Sequence, residues 1–229
     1  KYSRGLVAVV GGAMPGASLL SSRACALAGA GYVKWMSEHD HPGHPPDLVK
    51  DDSALDQALS DDRISALLIG PGLGRDDTAR GRLEAVLAAG KPVVLDADAL
   101  HLLQPAMLAE DGPPLLLTPH EGELSRLCEA FGVEEDTKRA RAQALSGKAG
   151  CAVLAKGADT LLAAGGEVRF FRPASRWLSV AGSGDVLAGM VGGLMAQGME
   201  AFDAACAACW SHGELGLQLG PGLISEDLP

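Results

Sequence analysis

The chain has 229 residues, 47% of them hydrophobic and 21% charged, and its 30 glycines and 13 prolines follow no collagen-like period. This excludes disordered, fibrous and collagenous classes and leaves room for one large domain, residues 1–229, with a substantial core. Lys and Arg number 19 against 29 Asp and Glu, a net charge of −10 with no basic block, which disfavours a nucleic-acid partner. An anionic ligand would therefore need its charge met locally, by backbone amides, a helix terminus, a lysine or a metal ion. No apolar run reaches the roughly 18 to 20 residues of a membrane-spanning helix, and the start, Lys1 to Gly5, lacks a signal-peptide layout, so a soluble, cytoplasmic protein with no membrane partner is expected. The five cysteines, Cys25, Cys128, Cys151, Cys206 and Cys209, lie mostly in apolar contexts without zinc-site spacing; they are expected to be reduced and buried.

In chain order, a short apolar run predicts a strand at 6–10, helical spacing follows at 17–30, and a second strand is predicted at 32–35. Segment 37–52 breaks the pattern. Its His39, His41 and His44 could bind a metal, but Gly43 and Pro42, Pro45 and Pro46 between and beside them favour a solvated loop. Strands at 64–69, 92–95, 115–117 and 151–154 then alternate with helices at 77–89, 99–103 and 121–131. Short strands at 160–163 and 168–171 flank Gly165-Gly166 in hairpin fashion, and two small-residue helices, 184–197 and 201–219, end the pattern. Near-continuously apolar strands alternating with helices imply an α/β fold, a doubly wound, mostly parallel sheet with helices on both faces. Ligands of such sheets sit beyond the carboxyl ends of the strands, so polar residues just after a strand carry most weight.

Six such segments bear on the chemistry. Gly182-Ser183-Gly184-Asp185 is a glycine-rich turn running into an apolar helix. Its amides and helix N-terminus suit a phosphoryl group in transit, and Asp185 could accept a hydroxyl proton there; the alternative is that Asp185 simply caps the helix. Thr118-Pro119-His120-Glu121-Gly122-Glu123 ends a strand and begins a helix. A capping box would explain the acids there but not His120. Lys156-Gly157-Ala158-Asp159-Thr160 places a cation and two hydrogen-bonding side chains at a strand exit, as a surface turn also would. Gly70-Pro71-Gly72-Leu73-Gly74 and Gly11-Gly12…Pro15-Gly16-Ala17 are glycine-rich loops that match neither a Walker loop nor a dinucleotide fingerprint. In Asp96-Ala97-Asp98, capping of a helix by Asp98 is the favoured role over metal-water contact. Cys206 and Cys209 are read as close packing inside an Ala-rich helix, and His212 as a helix-packing residue.

Taken in this order, and with Gly29-Ala30-Gly31 and the final Ile224-Ser225-Glu226-Asp227-Leu228-Pro229, these segments resemble the ADP-dependent NAD(P)H-hydrate dehydratases of the ribokinase-like superfamily over nearly the whole chain. The GxGD turn is shared across that superfamily; the segments at 118–123 and 70–74 are more specific. Related sugar kinases carry Asn-x-x-Glu where this chain has His120-x-x-Glu123. The resemblance implies a ribokinase-like fold and ADP-dependent dehydration of the S-epimer of hydrated NADH or NADPH to NADH or NADPH, with AMP and phosphate released. It further implies that Ala17, Gly74, His120 and Asp185 contact the hydrated nicotinamide nucleotide. Lys156, Gly157, Ala158, Asp159 and Thr160, with Gly184, hold the adenine nucleotide, ADP or ATP, and Gly182, Ser183 and Gly184 form the anion hole beside catalytic Asp185. Glu123 is implied as a water-mediated Mg²⁺ contact, and a homotetramer or other homo-oligomer is expected. Segment 171–180 departs from the Asn and Thr expected in many relatives. A small-molecule kinase of the same superfamily is the runner-up, against which His120 speaks; a non-catalytic nucleotide-sensing module is the third reading, against which the intact GxGD turn speaks.

Overall fold

The computed structural model describes residues 2–228; Lys1 and Pro229, the ends of the expected domain and of its last motif, lie outside the described residues. Nine strands form one sheet in the order β3-β2-β1-β4-β5-β6-β7-β8-β9. They are β1 (Leu6–Val10), β2 (Tyr32–Met36), β3 (Val49–Asp51), β4 (Ile64–Ile69), β5 (Val93–Leu95), β6 (Leu115–Leu117), β7 (Ala152–Ala155), β8 (Leu161–Ala164) and β9 (Glu167–Phe170). Every pairing from β3 to β7 is parallel, and β8 and β9 add antiparallel to the end. Gly165 and Gly166, at φ 56° and 85°, form the two-residue hairpin turn, a conformation only glycine adopts without strain.

The pleat of β1 divides the core. Leu6, Ala8 and Val10 point to one face, Val7 and Val9 to the other, and none is more than 1% exposed. The first face is covered by α2 (Leu55–Leu59), α3 (Asp77–Ala88), α4 (Ala97–Leu102), α5 (Glu121–Ala130) and α6 (Lys138–Ala149). The second is covered by α1 (Pro15–Leu27), α7 (Ser183–Ala196) and α8 (Ala201–Leu219). The doubly wound, mostly parallel reading holds, with three local differences. The expected loop at 37–52 ends in the edge strand β3, whose half-buried Val-Lys-Asp has no apolar run to announce it. Helices α2 and α6 carry weak or mixed amphipathic patterns and have no strong signal in the sequence; α6 is fixed by Thr137, whose hydroxyl accepts from the Ala140 N–H, and by Gly150 at φ 64°.

Helix α7 is apolar all round and lies against α1 through glycines. A Cβ on Gly189 would lie 2.3 Å from the Ser21 carbonyl oxygen, and one on Gly193 would lie 2.6 Å from that of Cys25. Close backbone approach, rather than side-chain interdigitation, therefore fixes the depth and rotation of α7. Strand order reverses between β1 and β4, so the loops after these two strands meet at the switch point, where ligands of such sheets bind. Gly189→Ala is expected to destabilise the fold by about 1–3 kcal/mol through overpacking. Gly81→Ala, in exposed α3 with nothing within 4 Å of the new methyl, is expected to stabilise it by roughly 0.5–1 kcal/mol. Urea unfolding of both variants checks the contrast.

Candidate active site

The carboxyl ends of β5, β6 and β7 converge on one ion pair. Lys156 leaves β7 and places Nζ 2.6 Å from Asp96 Oδ1; the two side chains are 17% and 2% exposed. The Thr118 hydroxyl, at the end of β6, lies 2.8 Å from the same carboxylate oxygen. Gly184, in the first turn of α7, faces this pair: a Cβ there would sit 3.2 Å from Lys156 Nζ and 4.0 Å from Asp96 Oδ2. A side chain at 184 would intrude on the buried charges, which is a physical reason for the second glycine of the GxGD turn. Burial opposes the positive charge on Lys156, but Asp96, Glu123 and Asp185 together outweigh it and raise the ammonium above its usual range.

Asp185 lies half-buried in the same turn. Burial, then the carboxylates of Asp96, Asp98 and Glu123, push its carboxyl up to about 7, against the opposing pull of Lys156. It is therefore poised between acid and base at neutral pH. Asp185 does not cap α7: the cap position is Gly182, at φ 87°, without a side-chain cap. The Ser183 N–H is directed at the Val180 carbonyl at 3.3 Å. Among the described residues the Gly182, Gly184 and Asp185 N–H groups have no main-chain acceptor outside the helix. Of the expected anion-hole amides, those of Gly182 and Gly184 are therefore available to an anion, with that of Asp185 beside them, while that of Ser183 is engaged.

His120 begins α5 as its cap. Its Nδ1 accepts from the N–H groups of Gly122 (3.0 Å) and Glu123 (3.3 Å), and Glu123 Oε2 accepts from the His120 N–H at 2.8 Å. The capping box is thus real, and it includes the histidine that a capping role did not seem to need. With Nδ1 accepting, the ring proton sits on Nε2, 3.2 Å from Glu123 Oε1. Burial raises the Glu123 carboxyl, with Lys156 and the His120 N–H opposing. The turn joins the ion pair through the Lys156 N–H, which donates to the Pro119 carbonyl at 2.8 Å.

The segments that carry Ala17 and Gly74 meet at the switch point. The Met14 N–H donates to the Gly72 carbonyl at 2.9 Å, and a Cβ on Gly72 would lie 3.1 Å from that of Ala17. Asp98 does not cap a helix; it accepts from the Gly74 N–H at 3.0 Å and from Arg75 Nε at 2.7 Å. Asp96 occupies the cap position of α4 instead, with its side chain turned to Lys156. Between these two carboxylates Ala97 is held at φ 46°, the one non-glycine residue with positive φ among the described residues. The turn 157–160 lies outside this cluster. Gly157, Ala158 and Asp159 are exposed, the Thr160 hydroxyl lies 2.7 Å from the Gly157 carbonyl, and Lys138 Nζ is 2.6 Å from Asp159 Oδ1. Residues that sequence reasoning did not join to the site are Asp96 and Thr118, whose signal was their place at adjacent strand ends, and Lys138, which had none.

Among the described residues no group of three or more His, Cys, Asp or Glu side chains is arranged to hold a metal ion. Both oxygens of Glu123 already face His120, which suits contact through water better than direct coordination. The histidine segment supplies no such group either; His44 stacks on Trp35 at 5.4 Å. All five cysteines are free, with Cys151, Cys206 and Cys209 only partly buried. Two cavities, of about 340 and 250 Å³, open at the opposite ends of the strands, beside Pro92, Pro114 and Met199 and beside Met107, Leu115 and Cys151. Neither touches the residues above, so the site is defined by converging chemistry.

This arrangement and fold place the molecule in the ribokinase-like class. A ribokinase-like superfamily protein from Enterococcus faecalis superimposes with a TM-score of 0.87 at 25% identity, over 99% of this chain and 84% of the other. The chain belongs to the NAD(P)H-hydrate dehydratase family, whose model matches residues 7–221. A curated ADP-dependent (S)-NAD(P)H-hydrate dehydratase from Neisseria meningitidis is 38% identical over 93% of this chain and 76% of its own length. A bifunctional NAD(P)H-hydrate repair enzyme from Mycobacterium tuberculosis is 35% identical over 90% of this chain and 44% of its own. The chain spans about half the length of such bifunctional relatives. An ADP/ATP-dependent NAD(P)H-hydrate dehydratase from Bacillus subtilis, co-crystallised with ATP/Mg²⁺ and soaked with CoA, superimposes with a TM-score of 0.81 at 25% identity, over 100% of this chain and 89% of the other.

Opposed charges around Asp185 make its titration a direct probe of the cluster. Lys156→Met is expected to move the Asp185 carboxyl titration upward and Asp96→Asn downward, each by roughly one pH unit, as followed by carbon-13 NMR. Because the folded value lies above the unfolded one of 3.8, the contribution of Asp185 to stability is full below about pH 4 and is lost as pH rises through about 7. Asp185→Asn should therefore gain thermal stability relative to the parent between pH 5 and pH 8, with Tm rising by about 2–4 °C per kcal/mol recovered.

Proposed function

We propose that the chain catalyses ADP-dependent dehydration of the S-epimer of hydrated NADH or NADPH, yielding NADH or NADPH, AMP and phosphate, and so repairs damaged nicotinamide nucleotides. Family membership supports the reaction, and one observation carries the residue assignment: a carboxyl group with a value of about 7 stands beside the free amides of a helix N-terminus and a buried lysine. Hydroxide leaves a carbon centre poorly. Conversion of the ring hydroxyl to a phosphate ester provides a competent leaving group, which is why a kinase-like site suits a dehydratase.

On this reading Asp185, in its ionised form, takes the proton from the ring hydroxyl. The hydroxyl oxygen attacks the terminal phosphorus of ADP, and the bond to the bridging oxygen breaks to release AMP. The Gly184 and Asp185 N–H groups face the migrating group, and Lys156 offsets its charge from the sheet side. The ring nitrogen then expels phosphate, and loss of a proton from the neighbouring ring carbon restores the double bond. Ala17 and Gly74 at the switch point and His120 at the start of α5 frame the nicotinamide side. The 157–160 turn, exposed at Gly157, Ala158 and Asp159 and braced by buried Thr160, frames the adenine nucleotide together with Lys156 and Gly184. Bound Mg²⁺ would offset charge on the nucleotide phosphates, with Glu123 reaching it through water; most of its ligands would be phosphate and water oxygens, as is usual for this ion.

The reading extends to a homo-oligomeric enzyme of the cytoplasm, such as a homotetramer. Exposed Trp210 and Leu217 on α8 and Leu27 on α1 support association, and five free cysteines suit a reducing compartment. No helix among the described residues is long and apolar enough to cross a membrane.

Incubation with hydrated NADH and ADP or ATP should restore reduced-nicotinamide absorbance only when nucleotide is present; accumulation of a stable phosphorylated alcohol would assign a kinase instead. Asp185→Asn should lower kcat by at least about 10²–10⁴-fold while nucleotide affinity, read by calorimetry, stays within a few-fold. In the parent, kcat/KM should fall about tenfold per pH unit below about pH 7. A flat profile there would remove Asp185 as the base.

A further inference from the structure

Helix α8 buries Ala204, Ala205, Ala208, His212 and Gly216. All but one are alanine or glycine, as a close contact requires: a Cβ on Gly216 would lie 2.5 Å from the Leu178 side chain. The exception is an imidazole, 7% exposed. Burial, with the Lys156 ammonium adding to it and the Ser183 main chain opposing, holds His212 down to about 4, so the ring is uncharged at neutral pH. An apolar side chain in this stripe would avoid the cost of taking an imidazole out of water. The ring's hydrogen-bond partner is specific: Nε2 lies 3.3 Å from Oγ of Ser183, which is 6% exposed and is the first residue of α7.

That first turn lacks the usual means of fixing itself. Its cap is Gly182, which offers no side chain, so the Ser, Thr, Asp or Asn that ordinarily ties down a helix start is missing. The turn is held from outside instead. Ser21 Oγ on α1 lies 3.0 Å from the Asp185 carbonyl, the Ser225 hydroxyl donates to the Ala181 carbonyl, and His212 engages the Ser183 hydroxyl from behind. Ser21 and Ser225 hold carbonyls; of these three contacts, the one with His212 holds a side chain of the turn itself.

We infer that His212 is a positioning residue for phosphoryl transfer: through the Ser183 hydroxyl it holds the first turn of α7 at the angle at which the Gly184 and Asp185 N–H groups face the migrating phosphoryl group. Its kinetic consequence rests on the function proposed above; its structural consequence does not.

Hydrogen exchange on the ligand-free protein tests the structural part. In His212→Leu and in Ser183→Ala, the Val186 amide, which donates to the Gly182 carbonyl at 3.0 Å and closes this first turn, should exchange about tenfold faster, the loss expected of one buried hydrogen bond. Kinetics test the rest. Each variant should lose about 10–100-fold in kcat with KM for the hydrate changed less than about threefold. Ser183→Ala should add nothing in the His212→Leu background, and Ser183→Thr, which keeps the hydroxyl, should recover most of the rate. Unaltered amide exchange in both single variants, or fully additive rate losses, would overturn the inference. If His212→Leu fails to fold, Ser183→Ala, which deletes a single oxygen, decides by the same two readouts. Exchange is read without substrate, so a parent protein inactive on hydrated NADH would refute the proposed reaction and still leave this inference to be decided.

Discussion

The buried contact between Lys156 and Asp96 is the constraint on which the site is built. Three strand ends supply its parts: Asp96 from β5, Thr118 from β6 and Lys156 from β7. An ion pair so little exposed is weak evidence of stability, because stripping two charges of water costs about as much as their attraction returns. Its effect is on the neighbours. It keeps a cation beside the first turn of α7, favours a glycine at 184, and contributes to the field that Asp185 feels. Burial, then the carboxylates at 96, 98 and 123, push the Asp185 carboxyl up and the lysine pulls it down, leaving it at about 7. A chain of net charge −10 can thus present a locally balanced surface to the two anionic nucleotides of the proposed reaction.

Helix α7 can carry this chemistry because the rest of its length is packed against α1. Gly189 and Gly193 bring its backbone against that of α1, and Ala17 sits in the first turn of α1. Ser21 meets Asp185 while Cys25 meets Gly193, so the two helices run parallel and the GxGD turn and Ala17 lie at the same end of the pair, both at helix N-termini. Glycine at 189 and 193 serves packing; at 182, where φ is 87°, it serves the turn; at 184 it serves the ion pair. One residue type answers three different constraints within twelve positions.

Much of this was legible in the sequence, for reasons that differ by element. Strands β1, β4 and β6 are nearly continuous apolar runs because both faces are covered, and such runs are hard to mistake. The GxGD turn was legible because its backbone geometry restricts residue choice. Strand β3 and helix α6 were not, since an edge strand of Val-Lys-Asp and a helix of mean polar character owe their form to neighbours. The sequence reading gave the cap of α4 to Asp98, whereas Asp96 holds that position with its side chain turned to Lys156. Proximity in the chain says which residues stand at a strand end, whereas partners 23 to 60 positions away decide which does what. His212 read as packing for the same reason: Ser183 is 29 residues distant.

Ala97, at φ 46° between the two aspartates, carries an energetic consequence. A left-handed alanine costs about 1 kcal/mol more than glycine would, so the simplest route to a sturdier protein is to lose a methyl group. That same methyl narrows the torsional freedom of the link between Asp96 and Asp98, one of which faces the lysine and the other the switch-point loop. A glycine at this position would relieve the strain and loosen the hold on both carboxylates at once, so the sturdiness of the fold and the alignment of the site make opposite demands on one methyl group.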